Sequence, residues 1–102
     1  MLTSKQRAFL RSLAVNADTI LMVGKNGISD DLIQQAGDAL VKRELIKGKV
    51  LTETSPISPR EAAEKIADAT KSEVVQVIGS KFCLYKRNHK EPKIILPKQS
   101  RK

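Results

Sequence analysis

An α/β domain with the element order α-β-α-β-α-β-β and a small four-stranded mixed sheet is what this chain predicts. Three observations lead there. The 102 residues, 40% of them apolar, suffice for one core and one domain. Short apolar runs of strand length alternate with stretches whose apolar residues recur at helical spacing, and a helix between two strands implies a crossover and parallel pairing. The last two strand-like runs are separated only by Gly79-Ser80, a two-residue hairpin turn, so the sheet closes with an antiparallel pair.

Each element has a local cause. Thr3-Ser4-Lys5-Gln6 has the form of a capping box and opens a helix over about residues 4–15, with Leu2, Gln6, Phe9, Leu10 and Leu13 recurring along one side and Arg7 and Arg11 on another. Asn16-Ala17-Asp18 breaks it, and Ile20 to Val23 reads as the first strand. Ser29 is a good N-cap for a second helix, with Asp30 and Asp31 in its first turn, a buried stripe of Leu32, Ile33, Ala36 and Leu40, and an end around Arg43. Leu45 to Leu51 is the second strand; alternation sets Ile46 and Val50 on one face, and Lys47 and Lys49 on the other beside Leu45 and Leu51. After a loop over 52–57, Ser58-Pro59-Arg60-Glu61 combines a cap, a proline at the first helical position and a glutamate to close the box. The third helix turns Ala62, Ala63, Ile66, Ala67 and Thr70 inward and stops near Ser72. Val74 to Ile78 and Lys81 to Lys86 are the hairpin strands.

The formal net charge is +8, unevenly spread. Residues 86–102 carry seven cations against Glu91 alone, a net +6, which leaves +2 for residues 1–85. The chain is nearly balanced up to Tyr85 and basic beyond it, and it divides into a domain, 1–87, and a basic tail, 88–102, whose one apolar stretch is Ile94-Ile95-Leu96 between Pro92 and Pro97. Such asymmetry points to a polyanionic partner, nucleic acid being the commonest. Cys83 is the single cysteine, so no intrachain disulfide and no cysteine-based metal site are possible, and a reducing compartment fits. No apolar run has membrane-spanning length, and the N-terminus lacks the apolar core of a secretory signal. Catalysis fails on inventory: the one histidine, His89, lies in the tail without a partner nearby, and no serine or cysteine nucleophile has a positioned base. No cofactor or metal is implied.

The loop Gly24-Lys25-Asn26-Gly27, set between a strand and a helix, offers different chemistry. Two glycines allow a ligand to approach the backbone closely, Lys25 adds a charge, and the following helix aims its free N–H groups back at the loop. The spacing is not that of a Walker A loop. Asp30 and Asp31 already offset the helix dipole, so an anion must sit nearer Lys25 and the glycines than the helix axis. Aromatic residues are scarce (Phe9, Phe82 and Tyr85), so the sheet offers no stacking platform for single strands. Contact to phosphates and 2′-hydroxyls of structured RNA fits better. No helix has the Arg- and Asn-rich face of a major-groove DNA reader.

Several motifs fall in one order: Lys5-Gln6-Arg7 with Leu10-Arg11, Val23-Gly24-Lys25-Asn26-Gly27, Glu44-Leu45-Ile46-Lys47, Val77-Ile78-Gly79 and Leu84-Tyr85-Lys86. Over residues 2–87 this set resembles the CRM domain, an RNA-binding module named for chloroplast RNA splicing and ribosome maturation. A single copy of this length is similar to the bacterial YhbY proteins, which associate with precursors of the large ribosomal subunit. The resemblance implies a fold similar to the C-terminal domain of bacterial translation initiation factor three, with the GxxG loop acting on RNA. Gly24, Lys25, Asn26 and Gly27 then form the clamp, Lys47 and Lys49 extend it along the second strand, Arg7 and Arg11 along the first helix, and Lys86 and Arg87 at the end of the last strand. Lys86 stands where the pattern usually has arginine, keeping the charge and losing the bidentate fork. The implied partner is a large-subunit ribosomal RNA precursor within its precursor particle, bound by a cytoplasmic monomer without membrane contact. The rival reading is an assembly factor that docks on ribosomal proteins, its charge only steering association. Ile94-Ile95-Leu96 is its one candidate anchor.

Overall fold

The computed structural model describes residues 3–87, and in it seven elements follow the expected order. They are α1 Ser4–Ala14, β1 Thr19–Val23, α2 Asp30–Arg43, β2 Leu45–Val50, α3 Pro59–Thr70, β3 Glu73–Ile78 and β4 Lys81–Tyr85. Leu2, His89 and the Ile94-Ile95-Leu96 stretch lie outside the described residues.

The helix starts are set by side chains that take the free N–H groups of the first turn. The Thr3 hydroxyl accepts from the Gln6 N–H at 3.0 Å, and Gln6 Oε1 accepts from the Thr3 N–H at 3.1 Å, which completes the capping box. The Ser29 hydroxyl accepts from the Leu32 N–H at 3.1 Å, and that of Ser58 from the Glu61 N–H at 3.2 Å. The ends are set by the backbone. Lys71 turns into the left-handed region (φ 59, ψ 42) and donates its N–H to the Ala67 carbonyl, so α3 stops at Thr70 rather than near Ser72. α2 ends on Glu44, also at positive φ, whose N–H reaches the Leu40 carbonyl at 2.8 Å.

The sheet order is β1-β2-β4-β3. The α2 crossover lays β1 and β2 side by side and parallel. α3 carries the chain past a vacant strand position to β3, and the hairpin return fills that position with β4, antiparallel to both neighbours. Strand alternation then separates two faces. Leu21, Val23, Ile46, Val50, Phe82 and Leu84 form the main core with Leu32, Ala36 and Leu40 of α2 and Ala62, Ala63, Ile66 and Ala67 of α3. On the opposite face Leu45, Val75, Cys83 and Tyr85 receive Leu10 and Ala14 of α1.

α1 packs on the expected stripe shifted to one side, with Gln6 and Phe9 half-buried along it. Leu10 and Ala14 are buried and Leu13 is exposed. Arg7 lies half-buried on the inward side, its guanidinium donating to the carbonyls of Val74 and Val75. The reason is tertiary: β3 is irregular between Val74 and Gln76, and the carbonyls beside that irregularity draw in the Arg7 guanidinium, whose fork of N–H groups reaches both. The second strand also ends one residue early, at Val50, leaving Leu51 exposed in the following loop.

One close approach sits at the centre of the sheet. Gly48 pairs directly with Phe82 across β2 and β4, and a Cβ built on Gly48 would lie 2.4 Å from Phe82 Cζ. The ring is 1% exposed and enclosed by core side chains, so it has nowhere to go. Gly48→Ala is expected to lower unfolding free energy by about 2–3 kcal/mol, as overpacking does. In a Phe82→Leu background the same change should cost clearly less; urea titration of the four proteins checks both statements.

Candidate nucleic-acid interface

The glycine tetrad is a closed β-turn. The Gly27 N–H donates to the Gly24 carbonyl at 3.0 Å, with Lys25 and Asn26 exposed at the central positions. Neither central residue has positive φ, which fits a type I turn with glycine at its last position. The two glycines have different tasks. Gly27 is buried at φ +63, and an added Cβ would stand 3.3 Å from Pro56 Cγ. Gly24 has no positive φ, and an added Cβ would meet only Leu51 Cδ1 at 3.8 Å. Gly27 is therefore required by the turn, whereas Gly24 keeps its flank of the loop bare. Ser29, Asp30 and Asp31 occupy the adjoining start of α2, where the serine hydroxyl and two exposed carboxylates already oppose the helix dipole.

This turn sits at a particular end of the sheet. The Leu51 N–H donates to the Val23 carbonyl at 2.8 Å, and the Val50 N–H to the Ser80 carbonyl at 2.7 Å. The GxxG turn, the 51–57 loop and the β3–β4 turn thus meet there, and α2 and α3 both start from it. Register carries the site onto the face that α1 shares. Met22 pairs with Lys49, Lys49 with Lys81, and Lys81 with Ile78, one row across all four strands. The next row on that face is Thr19, Lys47, Cys83 and Gln76. No acid stands in either row. α1 ends at Ala14, where Lys47 Nζ donates to the Ala14 carbonyl at 3.2 Å, a cation on the last turn of a helix. The helix covers the far half of the face and leaves the half beside the GxxG turn open.

Of the residues expected from sequence, the fold gathers Gly24, Lys25, Asn26, Gly27 and Lys49 at this end, with Lys47 one row inward. It does not bring the others there. Arg7 is bound to the carbonyls of β3, at the sheet edge opposite β1. Arg11 is exposed on α1. Lys86 and Arg87 follow the far end of β4, where the Lys86 N–H donates to the Glu44 carbonyl at 2.9 Å. Lys81 is the cation that sequence reasoning missed. Alternation alone places it on the face of Cys83 and Tyr85; only the β2–β4 register sets it opposite Lys49. Among the described residues neither lysine has an ion-pair partner.

Two buried protonated groups lie under α1. Burial pushes the Cys83 thiol above its usual 9.0, against a smaller downward pull from Lys47. Burial, with the Glu44 carboxylate adding to it, pushes the Tyr85 phenol above its usual 10.0, against a smaller opposing pull from Arg87. The Tyr85 hydroxyl has no hydrogen-bond partner among the described residues. Among the described residues no group of three His, Cys, Asp or Glu side chains could hold a metal ion, and no helix is long and apolar enough to cross a membrane.

A four-stranded mixed sheet with two helices on one face, a third half-covering the other, and a basic glycine turn at one end defines a small α/β module among the described residues. The chain belongs to the CRS1 / YhbY (CRM) domain family, whose model matches residues 2–86. A Bacillus subtilis protein named "Probable RNA-binding protein YqeI" is 41% identical over 97 residues, covering 95% of this chain and 100% of that protein. A Haemophilus influenzae protein named "RNA-binding protein" is 36% identical over 102 residues, covering 96% of this chain and 97% of that one. The solution structure of Staphylococcus aureus SAV1595 matches with a TM-score of 0.77 at 45% identity, covering 95% of this chain and 100% of that chain.

Two outcomes follow from the geometry. Gly24→Ala should fold with a melting temperature close to that of the parent, while Gly27→Ala should lose about 1 kcal/mol or more through the strained αL position and the Pro56 contact. Thermal melts of the two variants separate them. Stability should also fall in alkali. Because the folded-state values of Cys83 and Tyr85 are raised, their contribution is complete below the unfolded values and is lost as pH climbs from about 9 through the raised values. Melts at stepped pH should be flat between about 6 and 8 and decline above 9, and Cys83→Ala should delay the onset.

Proposed function

We propose that this protein is a non-catalytic RNA-binding factor of the ribosome-maturation type. It binds structured RNA, the precursor of large-subunit ribosomal RNA, through the GxxG turn and the adjoining cationic sheet surface. The observation that carries the reading is the convergence of Lys25, Lys49 and the bare Gly24 flank at one sheet end, next to two rows free of acids. Family membership and the RNA-binding names of its relatives support RNA as the partner class. In this reading Gly24 lets a phosphate reach the backbone, Lys25 meets it as a point charge, and Lys47 and Lys49 hold the strand along the sheet. Lys47 does so with one hydrogen already committed to Ala14. Arg11, Lys86 and Arg87 attract RNA at the periphery, and the tail from residue 88 adds sequence-independent attraction. The protein acts as a cytoplasmic monomer on the precursor particle.

Filter binding of structured RNA, single-stranded RNA and duplex DNA tests the reading, and structured RNA should bind most tightly. With about five phosphate contacts, the slope of log affinity against log salt should be roughly −4. Lys25→Ala should leave melting unchanged, weaken binding and reduce the magnitude of that slope by about 1. A salt-independent affinity, or equal binding by the variant, would show the glycine turn to be uninvolved. Removal of residues 88–102 should weaken binding to cognate and scrambled RNA alike, so the ratio of the two affinities at one salt concentration should stay the same.

A further inference from the structure

The open half of the α1-side face contains a recess of about 260 Å³, walled by Val15, Lys47, Gln76, Ile78 and Lys81 with Cys83 at its floor. We propose that it seats one unpaired nucleotide of a bound RNA. The base enters the recess against Ile78 and Gln76, and an adjoining phosphate lies between Lys49 and Lys81. The inference rests on the RNA-binding reading above and adds what kind of RNA feature is selected.

The argument begins with charge. Lys49 and Lys81 face each other directly across antiparallel strands, an arrangement that is unfavourable for like charges. Neither is neutralised among the described residues, so one phosphodiester between them would relieve the repulsion. The ends of the same row are apolar and uncovered: Met22 is 57% and Ile78 64% exposed. Cations flanked by exposed apolar side chains suit a ligand that combines an apolar face with a negative charge, as a nucleotide does. Shape narrows the choice. The C-terminal end of α1 rises as a wall beside the recess, so a paired stem rides over it while an extruded base can enter. Gln76 is half-buried there, and its amide has no hydrogen-bond partner among the described residues, leaving a donor and an acceptor for a base edge. Continuity favours RNA over an acidic protein segment. Met22 stands two residues before Gly24, so a backbone held by the GxxG turn passes directly onto the row.

The test uses the full chain and a labelled RNA hairpin, fully paired or carrying a single-nucleotide bulge with each of the four bases, at one salt concentration. At least one bulged hairpin should bind about tenfold more tightly than the paired one, the order expected from burying part of one base against Ile78 and Val15. Gln76→Ala and Ile78→Ser, both outside the buried core, should reduce the bulged affinity to that for the paired hairpin. Lys25→Ala should weaken both hairpins by a similar factor. In NMR spectra of the parent, the Ile78 methyl and Gln76 side-chain amide signals should shift on addition of the bulged hairpin. Equal affinity of the parent for all hairpins, or a preference that survives in both variants, overturns the nucleotide site and leaves the RNA-binding reading standing. Failure to bind any hairpin overturns both. If a polyglutamate peptide moves the Ile78 and Gln76 signals more than RNA at equal concentration, the recess serves an acidic protein partner and the proposal falls.

Discussion

The stacking of the Phe82 ring on the bare backbone of Gly48 is the contact around which the rest is arranged. β2 and β4 are the two inner strands, and these residues are direct partners between them. With no side chain on Gly48, the ring lies flat over β2 and occupies the volume that a β2 side chain would otherwise fill. That volume is the middle of the core: the same cluster holds Leu21 and Val23 of β1, Ala36 and Leu40 of α2, and Ile66 of α3. The small inward residues of α3, three of them alanine, suit a helix seated close to a sheet already carrying a large ring. A side chain at residue 48 would push the ring out, and both helices with it.

The two faces of the sheet are finished differently, and the difference makes the site. The α2–α3 face is closed by apolar packing along its length. The opposite face is closed only as far as α1 reaches, and polar pins decide how far that is. Arg7 ties the helix to the irregular β3 backbone, and Lys47 ties its last turn to β2. Each pin ends on backbone carbonyl groups, one at a helix end, where the Ala14 oxygen also accepts from the Ala17 N–H, and one beside a β-irregularity. Beyond Ala14 the sheet is bare, and its side chains become lysine, glutamine, methionine and isoleucine rather than core residues.

Leaving Lys49 opposite Lys81 is an electrostatic cost, of roughly a few tenths of a kcal/mol up to 1 kcal/mol for like charges directly across a sheet. An acid at either position would remove it, and none is there. Local rules are broken where another demand competes, and under the proposed function the competing demand is attraction of a polyanion. The acids at the same sheet end have a separate task. Asp30 and Asp31 stabilise the first turn of α2, and with Ser29 they occupy the helix terminus. Under the proposed function, anion attraction at this end falls to the lysines and the backbone of the turn, rather than to the helix dipole.

Local signals were enough to read most of the elements. The Thr3, Ser29 and Ser58 caps, the inward stripe of α3, the alternation of β2 and the hairpin turn at Gly79-Ser80 each depend on residues within about one turn or one strand, so the chain carries them in plain view. The GxxG turn was legible for the same reason. What the sequence could not contain was partnership between distant segments. Register across β2 and β4 decided that Lys81 faces Lys49 and that Phe82 covers Gly48, because pairing depends on where a crossover and a hairpin set two strands 30 residues apart. The stripe of α1 runs through Leu10 as its period implies, but Ala14 rather than Leu13 is buried, because the helix is turned toward backbone acceptors that only the folded β3 presents. Strand order had the same origin: helical and strand periods say which face is buried, whereas the position of β4 between β2 and β3 follows from how a completed α3 crosses the sheet.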